Sequence, residues 1–83
     1  MDKTIEEMKD ISSKNAYKNP TWFWGQAYFS TCCLQTNDLI STLEALEECS
    51  KALHKSIDTK RPVEDLKARE RFLELSRSYL ELD

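Results

Sequence analysis

Glycine occurs once and proline twice among the 83 residues. A chain so poor in turn formers is not a multi-stranded β domain, which needs Gly, Asn or Asp at tight turns every ~8–12 residues. Cysteine occurs three times, an odd number with no Cys-x-x-Cys spacing. Cys32, Cys33 and Cys49 therefore read as reduced, buried thiols rather than as a disulfide framework. No apolar run approaches the ~20 residues of a transmembrane helix, which speaks against membrane insertion. The opening MDKTIEEMKD carries acids where a secretory signal carries cations and then an apolar stretch. A cytoplasmic location is the expectation. Gly25 is alone, so there is no glycine-rich phosphate loop.

Charge of one sign is also missing. The formal net charge of −3 is spread thinly, with residues 1–19 and 60–83 neutral and only the middle of the chain slightly acidic. No segment forms the basic footprint that phosphates require, which argues against nucleic acid as a partner.

What is present is an ordinary globular balance, 40% apolar and 33% charged, in a length that makes one domain, 1–83. So small a domain buries only about 60% of the surface its unfolded chain exposes, so an unused apolar face matters energetically. The pattern predicts an all-α fold. Thr4 and Glu7 have capping-box spacing, which places a short helix from Ile5 with a stripe of Ile5, Met8 and Ile11. Ser12, Ser13 and Asn15 offer its backbone competing hydrogen bonds and are expected to end it. Asn19 and Pro20 then read as cap and first residue of a second helix. At ~100° per residue, Trp24, Tyr28, Cys32, Leu39, Leu43, Leu46, Leu53 and Ile57 share one arc, favouring an unbroken helix over residues 20–57. The rival is a break at Gln35–Asp38, where Asn37 or Asp38 could cap a new helix. Residues 58–61 form a turn, and Pro62, Glu64 and Asp65 open a last helix running to Leu82. The expected architecture is a long antiparallel helical hairpin with a short N-terminal helix, resembling a three-helix bundle.

Catalytic chemistry finds little support. His54 is the only histidine, and it reads as a surface residue; a phosphorelay role for it is the least favoured reading. Cys49 and His54 lie about 140° apart around a helix and cannot share a metal. The carboxylates alternate with Lys and Arg at helix-pair spacing, including Asp65 with Arg69, which describes a solvated face. No catalytic, cofactor or metal site is expected, and the chain does not read as an enzyme.

The informative feature is excess apolar surface. Six of the eight aromatics, Tyr17, Trp22, Phe23, Trp24, Tyr28 and Phe29, precede Leu34 almost without intervening charge. Trp22, Phe29, Cys33 and Ile40 form one line beside the main stripe, and Phe23, Ala27 and Leu34 another. In the last helix, Leu66, Leu73 and Leu80 form one line and Ala68, Phe72, Leu75, Tyr79 and Leu82 a second. Trp and Tyr concentrate at interface anchors. The expectation is a non-enzymatic interaction module, an adaptor or regulator, presenting Trp22, Phe29, Phe72, Leu75 and Tyr79 to another protein chain, either a helical partner or its own copy. A constitutive subunit of a helical assembly is the alternative.

Overall fold

A computed structural model describes residues 3–58 and 60–81, with the side chains of 56–58 excepted. Among these residues the chain is all-helical: α1 (Lys3–Lys18), α2 (Trp22–Gln35), α3 (Leu39–Asp58) and α4 (Val63–Leu80). The helical class agrees with the sequence pattern. The hairpin of one long helix does not, because the segment 20–57 is two helices.

The break is built from local chemistry. Asn37 adopts the left-handed conformation at φ 63°, which Asn tolerates better than other non-glycine residues. The Asn37 N–H donates to the Leu34 carbonyl at 3.2 Å and the Asp38 N–H to the Cys33 carbonyl at 2.8 Å. This pairing is a Schellman closure, with asparagine standing where glycine is usual. Asp38 at once caps the next helix: its Oδ1 accepts from the Ser41 N–H at 3.1 Å, and the Ser41 side chain together with this N–H holds the carboxyl below its usual range. Two caps in consecutive residues outweigh an apolar register that happens to run through them.

Helix α1 is longer than its sequence suggests, for an equally local reason. The Ser12 and Ser13 hydroxyls and the Asn15 amide donate back to the carbonyls of Lys9, Asp10 and Ile11 within the same helix, so these residues are satisfied without ending it. Helix α2 begins two residues after Pro20, where the Thr21 hydroxyl accepts from the Trp24 N–H at 3.4 Å. Helix α4 opens just after Pro62, with Glu64 and Asp65 in its first turn, where the helix dipole favours acids. Glu81, at φ 57°, closes it; the sequence-based end at Leu82 lies outside the described residues, as does the Ile57 side chain.

Helix α1 packs on α2 and α4, and α3 packs on the same two. The links 19–21 and 36–38 are short, so neighbours in sequence turn back on one another. The result measures 34 × 23 × 18 Å with a radius of gyration of 11.7 Å. One buried cluster draws on every helix: Met8 from α1, Phe23, Trp24, Ala27 and Leu34 from α2, Leu46 and Cys49 from α3, and Phe72, Leu73 and Leu75 from α4. In α2 the residues that face the core are Phe23, Trp24, Ala27 and Leu34, while Tyr28 lies exposed, as do Leu39 and Leu43 of α3. The arc drawn through residues 20–57 is therefore only in part the core stripe: Trp24 and Leu46 belong to the buried cluster and Leu53 packs against it, while the break resets the phase of the rest.

Hydroxyls make up much of the remaining interior. Ser12, Ser30, Thr31, Thr42 and Ser76 are fully buried. Each donates to a carbonyl three or four residues earlier in the chain, so none requires a partner on a neighbouring helix. Small, internally satisfied side chains let the helices approach without leaving unpaired polar groups.

Candidate binding face and cleft

The core is organised around a charge that the sequence places at the surface. Arg69 is 2% exposed, and its Nε lies 2.8 Å from Asp65 Oδ2. The other Asp65 oxygen accepts from Trp24 Nε1 at 3.0 Å and from Asn19 Nδ2 at 3.4 Å. Arg69 Nη2 donates to the Thr21 hydroxyl at 3.3 Å, and its guanidinium sits 4.8 Å over the Phe23 ring. Phe23, Trp24 and Phe72 meet edge to face around it, with centroids 4.8 to 6.4 Å apart. Burial lowers the Arg69 pKa while Asp65 beside it opposes the shift. The i,i+4 spacing of Asp65 and Arg69 is the same on a solvated face or in a core; only the three-dimensional arrangement distinguishes them.

This buried pair fixes the end of the bundle where α2 begins, and an open cleft of about 580 Å³ lies there. Thr21, Trp22 and Phe23 form one wall, Glu48, Lys51 and Lys55 of α3 the other, and Arg61 and Arg69 complete it. Lys51 is drawn to Glu47 and Glu48, each at 3.7 Å. Lys55 and Arg61 have no ion-pair partner among the described side chains. The cleft is basic although the chain is acidic overall, and segment-by-segment charge could not reveal it, because its cations come from α3, the α3–α4 link and α4.

Above the cleft, α2 turns an apolar strip outward. Trp22 is 63% and Phe29 51% exposed, and residues seven apart lie on one helical face. Gly25 lies between them on that face and is exposed. A Cβ added there would meet nothing within 4 Å. Glycine in a helix interior costs about 0.5–1 kcal/mol relative to alanine, and nothing among the described residues requires it.

The five residues singled out by the sequence fall into two groups. Trp22, Phe29 and Tyr79 are exposed, the last at 38%; Phe72 and Leu75 are buried in the core. With α1 extended to Lys18 and a fourth helix present, the Phe72 and Leu75 line has neighbours inside the chain and cannot meet a partner while the fold is intact. Ile40 is exposed, but it follows the break and so no longer continues the Trp22 and Phe29 line. Sequence reasoning missed the cleft cations Lys51, Lys55 and Arg61.

The thiols are free. Cys49 is fully buried, its Sγ donating to the Phe23 carbonyl at 3.7 Å, and desolvation pushes its pKa up to about 12. Burial, with Asp38 and Cys32 nearby, also raises Cys33. Cys32 is only half-buried, so it is the accessible thiol of the three and not part of the core stripe. His54 is exposed on α3. Among the described residues no three His, Cys, Asp or Glu side chains group to hold a metal ion, and no helix is long and apolar enough to cross a membrane.

No protein-family model matches the chain. No curated protein matches it, and no solved structure does.

Proposed function

We propose that the chain is a small non-enzymatic protein–protein interaction module of the cytoplasm, an adaptor or regulator, that offers the Trp22, Gly25 and Phe29 face of α2 to another protein chain. One observation carries this reading: two large aromatics stand exposed on the same face as a bare glycine. Exposed aromatics supply anchors for a partner, and a glycine between them lets a partner's backbone come close. The interior is closed without this face, since the buried cluster draws on all four helices. That favours a module that folds alone over a constitutive subunit whose core a partner completes. Tyr79, at the far end of α4, stands exposed beyond the core and is a secondary contact in this reading.

The test is a Trp22→Ser/Phe29→Ser double variant expressed in the native cell, compared with the unaltered chain by size-exclusion chromatography of gentle extracts. The unaltered chain is expected to elute in a complex larger than its monomer, and the variant as a monomer with nearly unchanged thermal stability, because exposed substitutions usually shift stability by no more than about 0.5 kcal/mol. Identical elution of the two would refute the reading. A purified chain whose mass rises with its own concentration would identify the partner as a second copy.

A further inference from the structure

We infer that the partner segment seated on this face is an acidic amphipathic helix of another protein, its small apolar residues lying over Gly25 between Trp22 and Phe29 and its carboxylates reaching Lys55 and Arg61. This deepens the proposed function and rests on it.

Three observations select that occupant. Trp22 belongs both to the apolar face and to the cleft wall, so the strip and the cations form one continuous surface. Lys55 and Arg61 carry charge that no described side chain neutralises, whereas the Arg69 charge is already engaged by Asp65. Arg61 also sits close enough to Arg69 to oppose its protonation, so an added carboxylate would relieve repulsion between like charges. Gly25 adds a requirement of shape. With no side chain there and open space above it, the helix surface is a shallow saddle between two rings, which a second helix can enter along an i, i+3, i+4 line. A compact phosphate is less well served, because Thr21 already occupies the Trp24 amide at the α2 N-terminus and Lys55 and Arg61 come from two separate elements, α3 and the α3–α4 link.

The experiment titrates the full chain, labelled with ¹⁵N, with a stapled 18-residue helical peptide carrying Leu and Ala on one face and Glu elsewhere. A second peptide with Lys in place of every Glu and inorganic phosphate are titrated in parallel. The acidic peptide is expected to shift the Trp22 indole, Gly25, Lys55 and Arg61 signals saturably. A Lys55→Glu/Arg61→Glu variant should weaken that binding at least tenfold with unchanged dispersion of the remaining spectrum. Equal binding of the two peptides, no saturable shift at this surface, or the same shifts with phosphate alone would each overturn the inference. A cross-link from Phe29 to a partner segment that lacks acidic residues would overturn it too, while leaving the proposed function standing; absence of any partner at Phe29 would remove both.

Discussion

The Trp24 indole Nε1 donates to Asp65 Oδ1 at 3.0 Å, joining the first turn of α2 to the first turn of α4 inside the core. Through Asp65 it also joins the ion pair with Arg69, so one carboxylate orients a tryptophan and neutralises a buried guanidinium. Removing one member strands the others. Asp65→Ala is expected to destabilise the chain by roughly 3–5 kcal/mol, the usual consequence of leaving a buried charge unpaired. Asp65→Leu with Arg69→Met removes both charges and should cost far less than the two single changes added together. Urea unfolding of the unaltered chain, Asp65→Leu, Arg69→Met and their double variant checks this, and strict additivity would contradict it.

The α2–α3 break predicts an unusual response at Asn37. Gly should be neutral or slightly stabilising there, since it adopts the left-handed conformation freely. Val should cost about 1–2 kcal/mol because its branched Cβ crowds the carbonyl. In a continuous helix the order is reversed, with glycine the worse residue. Thermal unfolding of the two variants separates the cases. Proline would not, because its fixed negative φ cannot adopt the left-handed conformation of the break, while in a continuous helix it removes a hydrogen bond and clashes with the preceding turn.

The thiols should label in order. Cys32 is expected to react first in the native chain, with Cys33 and Cys49 protected until unfolding, because only a thiolate that reaches solvent reacts. Cys49 also contributes a pH dependence. Its folded pKa of about 12 stands above the ordinary 9.0, so its contribution to stability is complete below pH 9. It falls as pH rises toward 12, where the unfolded chain alone gives up the proton. The slope is at most about 1.4 kcal/mol per pH unit. Unfolding measured from pH 8 to 11 should be less steep for Cys49→Ala; an unchanged slope would contradict the assignment.

Much of this was legible in the residues and some was not, for definable reasons. The helical class follows from scarce glycine and proline, and the α4 start from Pro62, Glu64 and Asp65, because these are local effects. The length of α1 was hidden because Ser12, Ser13 and Asn15 end a helix or satisfy themselves within it with the same atoms. The α2–α3 break was visible as a possibility at Asn37 and Asp38, yet the apolar register pointed the other way. Arg69 could not be read as buried, since its spacing from Asp65 suits either environment and its aromatic neighbours arrive from another helix. Trp22 and Phe29 were legible as an outward line because α2 has more apolar residues than one face holds.

Gly25→Ala should raise stability by about 0.5–1 kcal/mol, because it removes unfolded-state freedom and meets no steric obstacle. Equal or lower stability would show that the glycine serves the chain's own packing.

The most direct measurement is a photocross-link from the face itself, with benzoylphenylalanine in place of Phe29 in cells and, as a control, in place of Lys14, whose side chain is 67% exposed on α1. The Phe29 position is expected to give a discrete covalent adduct with another polypeptide. The Lys14 position should give none. Adding Gly25→Gln should abolish the adduct by filling the saddle while thermal stability holds or rises. No adduct from Phe29, or the same adducts from both positions, would contradict the claim that this face exists for a partner.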